Sequence, residues 1–206
     1  MKLIVVRHGQ TDWNKQDLCQ GHANIPLNEA GLKQAEQVAQ RLKSEKIDLA
    51  FTSDLERAVV TADLILAHHP ATPVEYHQQL RERNYGVYER KTYSEFRQGI
   101  VDSGELPHLF RPESGESLLD VQKRALDFYG SLLPRCLSET VLVVAHGGVV
   151  QSLLLGIDHQ PFAEETRKRY SHANTGYSIL NVNSLGDSHY EVFNCADYLK
   201  NSYSIL

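Results

Sequence analysis

Runs of apolar residues alternate along this chain with segments whose apolar positions recur at helical spacing. Leu3-Ile4-Val5-Val6 and Val141-Leu142-Val143-Val144-Ala145 are continuous and rich in β-branched residues, as buried strands are. Shorter runs at Asp48 to Thr52 and Val74 to Tyr76, the alternating segment Tyr177 to Val182 and a last stretch, Tyr190 to Asn194, complete the predicted strands. Between them, Asn28 is placed to cap a helix whose buried face is Leu32, Ala35, Val38, Ala39 and Leu42. Ser53-Asp54-Leu55-Glu56 has capping-box spacing and precedes the stripe Leu55, Ala58, Val59, Ala62, Ile65 and Leu66. Thr92-Tyr93-Ser94-Glu95 opens a short helix in the same way, a longer one is expected from Ser117 to Leu133, and another from Gly148 through Leu154. Strands alternating with helices predict an α/β fold, a three-layer α/β/α sandwich around a mostly parallel sheet.

The polar residues that end these strands change the picture. Arg7-His8-Gly9 follows the first strand and His146-Gly147-Gly148 follows the fourth. Glycine permits a tight turn, so each histidine sits at a strand's carboxyl end, where open α/β sheets bind ligands. Arg57 falls in the first turn of the helix after the second strand, where the helix dipole disfavours a cation unless an anion lies beside it. A surface pair with Asp54 or Glu56 is the plainer alternative. Glu82, between Arg81 and Arg83, follows the third strand. The topology can bring all of these to one sheet edge. His68-His69, before Pro70, point in different directions on a helix and read as solvated residues rather than a metal pair.

The 206 residues suffice for one domain, 1–206, with a sizeable core. A net charge of -5 argues against a broad nucleic-acid surface but leaves room for arginines in a cleft to bind an anionic small molecule. Cys19, Cys136 and Cys195 show no metal or disulfide spacing and suit a reducing, cytoplasmic setting. No run is long enough to span a membrane, and no metal-binding motif is present. The stretch from Gly99 to Glu116 is polar and turn-rich, and reads as an excursion over the active site.

Arg7-His8-Gly9-Gln10-Thr11-Asp12-Trp13-Asn14 resembles the signature of the histidine phosphatase superfamily, also called phosphoglycerate mutase-like. The resemblance extends through Gln20 to Gly31, Ser53 to Ala62, Leu80 to Glu89, Ser114 to Ser117 and His146-Gly147. It implies a phosphate monoester reaction with His8 as nucleophile, Glu82 as acid and base, and His146 in the catalytic set as an imidazolium stabilising the transferred group. Arg7, Asn14 and Arg57 would bind phosphate, and Gln20, Gly21, Tyr85 and Gly147 would complete the substrate pocket. Bound phosphate, or a neighbouring carboxylate, would keep Glu82 protonated for the first step. Arg90 stands where the family has glycine, which leaves the backbone beside Glu89 open.

The resemblance implies neither metal nor cofactor for the phosphatase branch. The short chain and the lone Arg111 favour a phosphatase of small metabolites over a mutase dependent on bisphosphoglycerate. Leu80 to Val87 with Asn174-Thr175-Gly176 resemble the fructose-bisphosphatase-type branch that acts on sugar phosphates, with broad-specificity and α-ribazole phosphatases open beside it. A phosphoprotein phosphatase or a regulatory protein is the reading from another class. Oligomeric state is not legible.

Overall fold

The structure is a computed structural model in which residues 1–199 are described. Its strands are β1 (Lys2–Arg7), β2 (Leu49–Thr52), β3 (Val74–Tyr76), β4 (Thr140–Ala145), β5 (Tyr177–Val182) and β6 (Ser188–Cys195). Its helices are α1 (Asp12–Lys15), α2 (Glu29–Leu42), α3 (Glu56–Leu66), α4 (Tyr93–Ser103), α5 (Leu118–Cys136), α6 (Gly147–Ile157) and α7 (Glu164–Arg169). The strands form one sheet in the order β3-β2-β4-β1-β5-β6. The β1, β2, β3 and β4 pairings are parallel, and β5 and β6 run antiparallel. This is the α/β architecture that the alternation predicts.

The two central strands are apolar throughout because both their faces are covered. Leu3, Val5, Val141 and Val143 pack beneath α5 and α6, against Val121, Phe128, Leu132 and Leu153. Ile4, Val6, Leu142 and Val144 face the other way, onto Val38, Leu42, Ala58 and Ile65 of α2 and α3. The register aligns the carboxyl ends of β1 and β4. Arg7 lies opposite Ala145, and the His8 amide donates to the Ala145 carbonyl at 2.9 Å. The residues just beyond both strands therefore emerge side by side.

Several expectations need correction. Leu32 is 40% exposed and lies outside the buried face of α2, while Val59 and Leu66 of α3 are half-buried. The capping box at Ser53 does not form. The residue before α3 is Leu55, without a side-chain cap, and the Glu56 amide donates to Asn24 Oδ1 at 2.8 Å, so a distant loop replaces the local cap. The box at Thr92 does form. α5 continues to Cys136, with Pro134 inside its last turn. Gly99 to Ser103 belong to α4, so the irregular excursion begins at Gly104, at φ 69°. β6 starts two positions earlier, at Ser188. α1 and α7 have no buried residues and so no apolar stripe to betray them.

His68 is exposed and its Nε2 lies 3.1 Å from Gln40 Nε2, while His69 is half-buried. No group of three metal-type side chains occurs among the described residues. The three cysteines are unpaired, and Cys19 and Cys136 are buried. Among the described residues no helix is long and apolar enough to cross a membrane. Near the chain's end Tyr198 is tethered through its hydroxyl to the Thr175 carbonyl at 2.6 Å, and residues 200–206 lie outside the described part.

Leu142 is fully buried in the middle of β4. Leu142→Ala should lower unfolding free energy by about 2–5 kcal/mol, measured by urea denaturation, because it leaves a cavity between sheet and helices.

Candidate active site

The β1–β4 register places the rings of His8 and His146 with centroids 5.0 Å apart and planes inclined by 61°. Their hydrogen bonds set opposite tautomers. His8 Nδ1 lies 2.7 Å from the Gly9 carbonyl oxygen, which can only accept. The proton therefore sits on Nδ1, and Nε2 keeps a free lone pair. His146 Nδ1 instead accepts from Arg57 Nε at 3.2 Å, so its proton sits on Nε2, which is buried and has no protein partner.

Both imidazoles titrate well below the ordinary histidine range, first because of burial and then because of cationic neighbours, led by Arg57. The imidazolium expected at His146 is thus disfavoured in this structure. Burial and the Arg57 guanidinium hold the ring neutral, and it offers an Nε2–H donor without a full charge.

Arg57 is entirely buried, and among the described residues no carboxylate forms an ion pair with it, although the Glu82 and Glu89 charges favour its charged form. Its NH1 donates to the Ala23 carbonyl at 2.8 Å and its NH2 to the Gly21 carbonyl at 2.9 Å. Asp54, one candidate partner, is taken by Arg81 at 2.7 Å. Burial pulls the Arg57 guanidinium down to about 10, which still leaves it charged near neutrality. Arg7 donates from NH1 to the His172 carbonyl at 2.7 Å, and its buried Nε has no partner in the protein. A Cβ on Gly147 would lie 3.3 Å from that Nε, so the start of α6 is packed against the guanidinium.

The remaining predicted residues fall around this centre. Asn14 Oδ1 accepts from Thr11 N and Oγ1 at 3.1 Å each and from Asn174 Nδ2 at 3.3 Å, leaving the Asn14 amide nitrogen as its donor to a ligand. Gly21 adopts φ +51°, and a Cβ there would strike Glu89 Oε1 at 2.0 Å. Glu89 Oε1 accepts from the His22 amide at 2.7 Å and so braces the Gln20-Gly21 turn. Gln20 is buried, with an unpartnered Oε1.

Glu82 is buried and its carboxylate accepts from the amides of Gly148, at 3.2 Å to each oxygen, and Arg83, at 2.8 Å. The flanking arginine side chains are engaged elsewhere, Arg81 on Asp54 and Arg83 on the carbonyls of Phe110 and Glu116. Tyr85 is set in a wall of aromatic side chains. Its hydroxyl lies 3.2 Å from that of Tyr93, and its ring packs on Phe96 at 5.0 Å.

Sequence reasoning passed over several contributors. A Cβ on Gly148 would lie 2.5 Å from Glu82 Oε1, so this glycine makes room for the carboxylate that its amide holds. Its place in the His-Gly-Gly run was the available signal. Asn174 Nδ2 and the Thr175 amide both donate to the His8 carbonyl, at 3.1 and 3.2 Å. Thr61 accepts from the Gly9 amide at 3.1 Å. His172 gave no sequence signal. Its Nδ1 donates to the Tyr170 carbonyl at 2.9 Å and its Nε2 accepts from Ser178 Oγ at 2.8 Å, which fixes the carbonyl that holds Arg7.

Residues 3–194 match the model of the histidine phosphatase superfamily, branch 1. The chain belongs to that superfamily. It is accordingly a phosphoric monoester hydrolase of the histidine phosphatase type. It is 32% identical over 207 residues to a protein of Schizosaccharomyces pombe named as a probable phosphatase, covering 97% of this chain and 96% of that one. It is 35% identical over 165 residues to a 2,3-bisphosphoglycerate-dependent phosphoglycerate mutase of Gloeobacter violaceus, covering 76% and 75%. The structure of an alpha-ribazole phosphatase from Shigella flexneri superposes with a TM-score of 0.82 at 27% identity, covering 95% and 96%.

The histidine phosphatase site carries a stability consequence. Burial pulls His172 down to about 4, while an unfolded chain holds its histidines near about 6.5. The folded state thus binds fewer protons below that value. Its contribution is fully present above about pH 6.5 and is lost as pH falls through about 4, by roughly 3 kcal/mol for His172. His8 and His146 add in the same direction. Urea midpoints should fall between pH 6.5 and 5, and the fall should be shallower in His172→Gln.

Proposed function

We propose that this enzyme hydrolyses phosphate monoesters of small metabolites, sugar phosphates foremost, through a phosphohistidine on His8. The observation that carries the reading is the pair of neutral imidazoles with opposite tautomers between two arginines. One ring presents a lone pair to phosphorus and the other an N–H to a phosphate oxygen. Arg7 Nε, Arg57 and the Asn14 amide add donors suited to phosphoryl oxygens.

In the first step His8 Nε2 attacks phosphorus as the P–O ester bond breaks. Glu82, protonated, gives its proton to the departing alkoxide. In the second step the Glu82 carboxylate takes a proton from water, the water oxygen attacks phosphorus, and the N–P bond breaks to restore His8. Fixed donors aimed at the transferring group supply much of the acceleration that slow-hydrolysing monoesters require. The segment from Gly104 to Glu116 serves as cover and specificity wall, and the substrate is the sole partner this site requires. The unpaired thiols fit a reducing compartment such as the cytoplasm.

Near end-to-end coverage of the fission-yeast phosphatase supports hydrolysis. The mutase relatives favour a second reading, phosphoryl exchange on phosphoglycerates, over about three quarters of the chain. Phosphate release from p-nitrophenyl phosphate, sugar phosphates and phosphoglycerates, measured in chelator, separates the two. Release should persist in chelator and fall at least ~100-fold in His8→Ala. Interconversion of phosphoglycerates on adding bisphosphoglycerate, with no release, would establish the mutase instead.

A further inference from the structure

Glu82 is gripped by a frame reaching from α5 into the segment 104–117. Arg124, on α5, donates to Glu116 from Nε at 2.9 Å and from NH2 at 3.0 Å, one bond to each carboxylate oxygen. The same guanidinium donates from NH1 to the Gln79 carbonyl at 2.7 Å and from NH2 to the Glu82 carbonyl at 3.0 Å. Glu116 returns to the acid's own segment. Its Oε2 accepts from the Asn84 amide at 2.9 Å, its amide donates to the Asn84 carbonyl at 2.9 Å, and its carbonyl accepts from Arg83 Nε at 2.7 Å. Arg83 NH2 then reaches the Phe110 carbonyl at 2.6 Å, with the guanidinium carbon 4.8 Å from the Phe96 ring centroid. His22 Nε2 also donates to the Glu82 carbonyl, at 2.9 Å. The stretch from Gln79 to Asn84 is thus pinned at three carbonyls and one amide.

We propose that Arg124 and Glu116 are positioning residues that set the reach of Glu82 toward the leaving oxygen, and so couple general-acid chemistry to the segment that faces the substrate. A solvent-exposed ion pair contributes little. This one is mostly shielded, with side chains 17% and 23% exposed, is two-pronged, and spends its other donors on the backbone beside the acid. Burial works against ionisation of Glu116, but the bonds from Arg124 and Asn84 outweigh it and hold its carboxyl below the usual range. A displacement of about 1 Å at a proton donor is enough to cost much of its effect. The inference rests on Glu82 being the acid, so the test is built to tell the two apart.

An acid that protonates the leaving group matters for an alkyl phosphate and little for p-nitrophenyl phosphate, whose phenolate departs unaided. The kcat/KM ratio of 2-glycerol phosphate to p-nitrophenyl phosphate therefore reads the acid's placement, because kcat/KM covers the steps through leaving-group departure and not the shared hydrolysis of the phosphohistidine, and a purely structural loss would lower both values alike. Arg124→Met and Glu116→Gln should each cut that ratio ~10-fold or more, within the range that a general acid supplies. Arg124→Lys, which keeps the charge but not the fork, should recover part of it. In a Glu82→Gln background, Arg124→Met should change the ratio no further. Equal losses on both esters in Arg124→Met and Glu116→Gln, with Glu82→Gln selective, would overturn the positioning role alone. A Glu82→Gln variant that loses both esters equally would overturn the acid assignment and this inference with it. Should Arg124→Met fail to fold, Arg124→Lys and Glu116→Gln decide by the same ratio.

Discussion

A buried cation without a direct ion pair governs this site. Arg57 lies out of water, held by two carbonyls and an imidazole nitrogen, and among the described residues the carboxylates that favour its charge, Glu82 and Glu89, act on it without an ion pair. Such a charge is costly to bury, and the native state tolerates it because the hydrogen bonds replace those of water. The consequences reach through the centre. Arg57 fixes the bare nitrogen of His146, depresses both histidines, and ties down the loop from Gly21 to Ala23. A bound phosphate dianion would add a direct counter-charge to those of Glu82 and Glu89. Stability conceded in the free protein then returns as affinity for the ligand, and as extra affinity for a transition state that gathers charge on the same oxygens.

Burial also decides how the two imidazoles divide the work. In water both would titrate near neutrality and exchange tautomers freely. Here Gly9 and Arg57 select one tautomer each, and burial keeps the rings neutral. A ring with an open lone pair and a ring with an open N–H are thereby prepared from one residue type. The same burial makes the fold sensitive to acid, which ties the working form of the site to the pH range in which the fold is stable.

The part of this arrangement that was legible in the sequence was the part written locally. An apolar β-branched run followed by His-Gly reads as a strand that delivers a histidine, and the second copy reads likewise. Arg57 stood out because a cation at a helix start demands a reason. The failures were long-range. The cap at Ser53 did not form because Asn24, far away in the chain, supplies the acceptor for the Glu56 amide. His172 was invisible because Ser178 and Tyr170 give it meaning only once β5 has paired with β1. The resemblance implied a charged His146, whereas in the free protein Arg57 occupies its Nδ1 and burial disfavours the imidazolium, and residue identity does not reveal which ring nitrogen Arg57 will occupy. Arg81 and Arg83 flank Glu82 in the sequence, which leaves open where they point, and their side chains serve Asp54 and the carbonyls of the following segment.

Arg90 shows how a departure from the family pattern is absorbed. The position has φ 69°, a left-handed conformation that suits glycine and costs an ordinary residue about 1 kcal/mol. Two hydrogen bonds enforce it, from the Arg90 amide to the Cys19 carbonyl and from the Cys19 amide to the Lys91 carbonyl, both at 2.8 Å. These join the segment after the first histidine to the segment after the acid. Cys19 thereby precedes Gln20 and Gly21 on one side of the join, and Glu89, whose carboxylate braces that turn, precedes Arg90 on the other. The left-handed backbone is thus a requirement of the join rather than of the residue that occupies it. The family's glycine meets that requirement without strain, while this chain accepts a small local cost and keeps the loop that holds Arg57 in register with Glu82.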